Sequence, residues 1–303
     1  MSARAWALFA AVSVLWGFPY LFIKIAIDGG LPPLVLAWAR IALGAAVLLP
    51  IAWRAGTLGA LRSRAGWLLA FALVEIAIPF PLIAVGEQTI ESSTAAIVIA
   101  TTPLLVALLA VRFEPAERVD AGRLLGLLIG FGGVVALVGA DVGGEGLGIL
   151  AVSGAALGYA CGAMLLRRHL SELDSVASMG AALAIASVVL APFAAVSLPG
   201  ADPSAGAIGS VFVLALLATA LALALMAELI STVGAGRAVV VTYVNPVIAL
   251  VLGVIFLSES PGAGSIVGLV LILAGSWLST GGRLTPRRQP ATECRTREFS
   301  ESQ

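Results

Sequence analysis

The chain has 303 residues, 60% of them hydrophobic and 11% charged, with a mean hydropathy of +1.08 and a formal net charge of zero. So apolar a composition excludes an ordinary water-soluble domain. The few charges are spread along the chain rather than gathered into a face, so no nucleic-acid partner is expected.

In chain order, ten apolar stretches read as membrane-spanning helices, at about 5–27, 33–53, 66–86, 92–112, 122–140, 146–166, 175–197, 205–228, 235–257 and 263–281. About 20 helical residues cross ~30 Å of hydrocarbon, and open sheet or irregular chain facing lipid would leave backbone groups unpaired. The expected class is therefore an all-α integral membrane protein of ten helices in a lipid bilayer. The first stretch, with Trp16, Tyr20 and Lys24 inside it, is too long for the apolar core of a signal peptide and reads as a retained helix. Cys161 in the sixth stretch and Cys294 in the tail are not expected to form a disulfide. His169, the single histidine, stands beside Arg167 and Arg168 and reads as a solvated loop residue. Residues 283–303 are polar and charged and read as a disordered cytoplasmic tail.

Basic residues give the orientation. Of 17, all but Lys24 and Arg40 fall at the N-terminus, in alternate connections or at the span ends that border them, or in the tail, and the connections 28–32, 87–91, 141–145, 198–204 and 258–262 hold none. The positive-inside rule then places both termini in the cytoplasm of a multi-pass plasma-membrane protein.

The second half of the sequence repeats the first. Pro103 matches Pro246, and after a one-residue slip Glu117, Gly126 and Gly133 match Glu259, Gly268 and Gly275. The expected units are 1–141 and 142–282, five spans each. An odd span count inserts the second copy upside down, which puts Glu117 inside and Glu259 outside. Inverted repeats are the recurring plan of secondary transporters, because two related halves give states of similar energy open to either side.

These residues resemble the EamA-type permeases of the drug/metabolite transporter superfamily. LWGFPYLFIK at 15–24, the Arg of LAWARIALG at 36–44, ATTP at 100–103, YVNP at 243–246 and SES at 258–260 carry the resemblance, which covers about 5–281. It implies a ten-helix carrier fold and the export of amino acids or related small metabolites. Two features depart from the pattern: the Pro-to-Glu spacing is one residue longer in the first copy, and Glu75 stands in the third span.

Glu75 is the most suggestive position. A carboxyl in mid-membrane is costly unless paired, hydrated or protonated, which makes Glu75 a candidate proton carrier. The structural alternative is a neutral hydrogen bond to a backbone carbonyl, or a pair with Arg40. Arg40 enters about 10 Å below the outer face at 1.5 Å per residue and can aim at Glu75 or at an anionic group of a substrate. Lys24 reads as snorkelling to the interface. Pro19, Pro79, Pro81, Pro103 and Pro246 interrupt helices, and freed carbonyls are tolerated in a membrane only where protein or a wet cavity satisfies them. The cavity is therefore expected beside Thr101, Thr102, Thr242, Tyr243 and Asn245, with Trp16, Tyr20 and Tyr159 as aromatic walls. Glycines at 126/130, 154/158/162 and 264/268 read as close helix contacts rather than a phosphate loop. No cofactor, metal or enzymatic motif is expected, and a homodimer is compatible with the sequence. The favoured reading is a proton-coupled exporter of a small polar metabolite. Its alternative is a membrane enzyme or sensor built on Glu75 and Arg40.

Overall fold

The computed structural model describes residues 2–113, 121–139 and 145–279. Glu117, Arg118 and the tail with Cys294 lie outside the described residues. Among those described there is helix and no strand, as mid-membrane backbone requires.

Seven helical segments are long and apolar enough to cross a membrane: Ala3–Asp28, Pro33–Arg54, Thr57–Gly86, Ser92–Ala110, Gly146–Leu170, Ser175–Ser197 and Ala205–Val233. Leu124–Leu137, Val241–Leu257 and Ala263–Ser279 are shorter apolar helices. Several segments are two helices in line. The first comprises α1 (Ala3–Gly17) and α2 (Pro19–Asp28), broken where Pro19 lacks an N–H. Then comes α3 (Pro33–Arg54), which ends at Gly56 with φ of 71°. A 3-10 turn, Thr57–Arg64, follows, so the third segment starts nearer α3 than hydropathy suggested, because its polar first turns are helical too. That segment continues as α4 (Ala65–Phe71), a π stretch (Ala72–Ala77) and α5 (Pro79–Gly86). The fourth is α6 (Ser92–Ile99) and α7 (Thr102–Phe113), split at Thr101 ahead of Pro103.

Beyond these lie α8 (Ala121–Gly139), α9 (Gly146–Leu165) with a terminal π turn (Leu166–Leu170), and α10 (Ser175–Ser197). The next segment is α11 (Ala205–Phe212), a second π stretch (Val213–Leu221) and α12 (Ala222–Val233). The chain closes with a short α13 (Ala235–Ala238), α14 (Val241–Leu257) and α15 (Ala263–Ser279). His169 sits in the π turn and not in a loop; its ring stacks on Trp67 at 3.6 Å, because the extra residue of that turn swings it over α4.

Helices from the first part of the chain pack mainly on helices from the second: α3 on α10, α5 on α9, α1 on α12 and α14, and α6 on α14. α8 and α15 pair antiparallel, with Gly126 against Gly275 and Ser279 and Gly133 against Gly268 and Ile272. Absent side chains let these backbones touch, the use of small residues that lipid favours. Between α3, α10 and the third segment lies an apolar core around Ile41, Leu48, Phe71, Ile76 and Leu183, each 2% exposed or less. Outward, Leu147 is 79% exposed, Val188 74% and Val135 70%. Water would penalise such a surface, whereas a bilayer covers it.

Candidate functional site

Helix breaks decide where polar groups gather. A helix interrupted by Pro or widened to a π turn frees carbonyls and turns side chains out of register, and such places recur at functional sites. Here the α1–α2 break, both π stretches, the α6–α7 break and the start of α14 converge on one cavity of about 310 Å³.

Its lining includes Trp16, Pro19, Tyr20, Arg40, Glu75, Thr102, Pro103, Tyr159, Thr242, Asn245 and Pro246. Thr101 and Tyr243 are not in the lining. The Thr101 hydroxyl donates back to the Val98 carbonyl at 2.7 Å, and the Tyr243 hydroxyl donates to the Ser276 carbonyl of α15 at 3.4 Å. Neighbours in sequence on a helix point about 100° apart, so each pair Thr101–Thr102 and Thr242–Tyr243 sends one member away from the cavity. Pro79 and Pro81 are buried in α5 behind Phe80, which does reach the cavity; Pro79 instead faces Gly158 of α9.

Arg40 is held as a cation without a carboxylate. Its Nε donates to Thr219 Oγ1 at 3.2 Å and its guanidinium lies 4.5 Å from the centre of the Phe80 ring. Thr219, in the second π stretch, donates its own hydrogen to the Leu214 carbonyl at 2.9 Å. One acceptor and one aromatic face fix the fork and leave its terminal nitrogens free for a ligand. Arg40 and Glu75 form no ion pair. The Glu75 side chain stands in the first π stretch against Gly162 of α9, and its Oε2 is buried without a hydrogen-bond partner. A methyl at residue 162 would occupy the place of that carboxyl.

The remaining polar groups tie helices across the cavity. With its nitrogen turned toward the two carbonyls beside it, the Asn245 amide donates to Ser13 O at 3.2 Å and Val241 O at 2.9 Å, joining α14 to α1. Thr102 and Thr242 hydroxyls donate to the Ile99 and Val239 carbonyls at 2.7 Å, satisfying acceptors at two breaks. Lys24 lies beyond the cavity: its Nζ donates to the Glu87 backbone carbonyl at 2.9 Å and pairs with Asp28 at 3.7 Å. Sequence reasoning missed Phe80 and Thr219. Thr219 had a legible signal, the one hydroxyl in an apolar run from 211 to 227. Phe80 had none, because an aromatic between two prolines is as suited to lipid as to a cavity.

A model of the EamA-like transporter family matches residues 4–139 and again 146–281. Similar chains include the uncharacterized transporter YvbV of Bacillus subtilis, 26% identical over 89% of each chain. The uncharacterized inner membrane transporter YedA of Escherichia coli is 30% identical over 82% of this chain and 80% of that one. A probable amino-acid metabolite efflux pump of Salmonella typhimurium is 26% identical over 93% and 96%. One crystal structure shares the fold with a TM-score of 0.66 at 21% identity, over 92% of this chain and 98% of its own.

Proposed function

Because the chain belongs to the EamA-like transporter family, we propose that its cavity carries a small carboxylate-bearing metabolite, an amino acid or a close relative, outward across the plasma membrane. The observation that carries this reading is Arg40, a cation in the cavity wall with one hydroxyl acceptor and no carboxylate partner. A buried cation is costly, and a substrate carboxylate offers two oxygens to its fork. A cavity of about 310 Å³ lies at the small end of the ~300–1,000 Å³ range of ligand sites, which suits a metabolite better than a large drug. The relative named as a probable amino-acid metabolite efflux pump supports the same class and direction.

Ten spans in two inverted halves, 1–141 and 142–282, with both termini cytoplasmic, complete the reading. The halves rock about the cavity and expose it to each side in turn. Glu75, in the cavity wall without a cationic partner, is the group that takes up and releases a proton as the cavity alternates. The test is flux in proteoliposomes: vesicles preloaded with an unlabelled amino acid should accumulate its labelled form by exchange. A pH gradient should drive net transport. No exchange of any amino acid or carboxylic acid by folded protein would refute the proposal.

A further inference from the structure

A layer of side chains separates the cavity from the end of the bundle that lacks Arg and Lys in its connections. Ile83 lines the cavity, whereas Glu87, one helical turn on, does not; Tyr20 lines it, whereas Lys24, one turn on, does not. On the far side of the layer lies a second cavity of about 240 Å³, walled by Lys24, Asp28, Glu91, Glu145 and Glu259 among others. Glu87 sits between the two, wholly unexposed, with neither carboxyl oxygen in a hydrogen bond. Lys24 reaches its backbone carbonyl, not its carboxyl.

The same layer fastens the early helices to the late ones. The Glu259 carboxylate, just past α14, accepts the N–H groups of Ser92 at 2.7 Å and Ser93 at 3.1 Å, where α6 begins. The Ser204 N–H donates to the Gly29 carbonyl at 2.9 Å. At the opposite, Arg-rich end the ties among the described residues include ion pairs on the surface, Arg4 with Glu228 and Arg64 with Glu172. Exposed pairs of that kind are worth little, whereas the Glu259 carboxylate capping two backbone N–H groups ties the Arg-free end firmly.

Glu87 is faced by Lys24 and Asp28 of α2, by Arg40 of α3 and by Glu259. Burial drives its carboxyl well above the usual carboxylate range, by more than Lys24 draws it down, and Glu259 pushes it further. An acid so placed keeps its proton while the layer is shut. Parting of the layer admits water, the penalty vanishes, and the O–H bond breaks with the proton passing to water in the outer cavity.

We propose that Glu87 is a second proton-binding site, which operates the seal between the substrate cavity and the Arg-free face: the seal shuts with a proton on Glu87 and opens as that proton leaves. The proposal rests on the alternating-access reading above and assigns the proton a role apart from Glu75. Its sign follows from linkage. Glu87 binds a proton more tightly in the shut layer than in the open one, so shutting takes up one proton, is favoured at low pH and weakens as pH rises through the shut-state value. One proton changes the open-to-shut ratio by at most about tenfold per pH unit.

The experiment places a single cysteine at Ile83, just inside the layer, in a background with Cys161→Ala and Cys294→Ala. A membrane-impermeant thiol reagent is applied from the Arg-free face across a pH series. Rates are divided by those of Gln88→Cys, an exposed site on the same face, to cancel the reactivity of the thiol itself. The expected ratio climbs with pH by up to about tenfold per unit; adding Glu87→Gln, which is always neutral, makes it low and flat. Glu87→Asp, which still titrates, should restore a slope. A flat ratio with native Glu87, or a slope that survives Glu87→Gln, overturns the proposal while labelling from the Arg-rich face leaves the carrier reading intact. A cysteine at 83 that is inert from both faces at every pH overturns both together.

Discussion

Replacing Arg40 by Gln tests the substrate class directly. Guanidinium carries five N–H groups, and Thr219 takes one, so four remain for a carboxylate in the cavity. A hydrogen bond to a charged partner contributes about 1.5–3 kcal/mol, and the second arm of a fork adds geometry more than full energy. A net loss of about 2–3 kcal/mol is therefore expected, which is about 30- to 150-fold in Kd. Folding should not suffer, because Gln removes a buried cation that has no carboxylate partner rather than breaking an ion pair. Arg40→Lys keeps the charge without the planar fork and should fall between, at about tenfold. Binding to purified protein is measured for three matched ligands: an amino acid, the amine left by removing its carboxyl, and the acid left by removing its amino group. Parent protein should prefer both carboxylates to the amine, and Arg40→Gln should erase that preference. Equal affinity for the amine in the parent, or an undiminished carboxylate preference in Arg40→Gln, would refute the reasoning.

Three further outcomes follow from the geometry. Gly162→Ala forces a methyl into the space of the Glu75 carboxyl and should cost about 1–3 kcal/mol in thermal or denaturant unfolding, whereas Gly154→Ala, which meets only the tip of Leu82 at 3.3 Å, should be close to neutral; equal effects would show that the packing of α9 on the first π stretch is wrong. Glu75→Gln should keep stability and solute exchange but lose pH-driven accumulation, and undiminished driven uptake would end the case for Glu75 as a proton carrier. A reporter active only in the cytoplasm should work when fused after Arg64 or Leu170 and fail after Gly29 or Asp202; activity at Gly29 would reverse the assigned orientation.

The helical architecture was legible because lipid imposes one rule on every residue it touches. Long apolar runs must be helix, and hydropathy reports them without reference to partners. Proline reported the breaks beside 19 and 103 for the same local reason, since the missing N–H belongs to the residue itself, whereas α14 runs unbroken through Pro246 and the chain turns before it at 239–240. The π stretches at Ala72–Ala77 and Val213–Leu221 were not legible. They depend on which neighbours the extra residue can reach: Gly162 opposite Glu75 in one case, Arg40 opposite Thr219 in the other. Nor does composition say which member of a polar pair faces inward. Thr102 lines the cavity and Thr101 does not, a difference of one step around a helix whose every face is apolar enough for lipid. Glu87 was hidden by its position, since the end of an apolar run reads as a loop exposed to water, yet the Lys24 contact and the Glu259 cap fold that loop inward.

If the protein alternates as proposed, two buried acids, one in the third segment and one just past its end, set a constraint on how it can do so. Glu75 in the third segment and Glu87, which caps its end, are 12 residues apart, about 18 Å at the rise of a helix and more than half the ~30 Å of hydrocarbon. Arg40, Tyr20 and Phe80 line the cavity between them. A proton cannot cross that distance in one hydrogen bond, so a carrier using both must fill them at different stages, Glu87 from the outer cavity and Glu75 from the substrate cavity. Arg40 then acts on Glu87, since a substrate carboxylate on its guanidinium cancels the positive charge that otherwise favours ionisation of Glu87. Substrate bound at Arg40 should therefore strengthen the hold of Glu87 on its proton and keep the outer seal shut at higher pH. Repeating the Ile83→Cys labelling series with saturating amino acid should move the rise of the ratio to higher pH; a shift to lower pH would separate the two sites energetically and break this link.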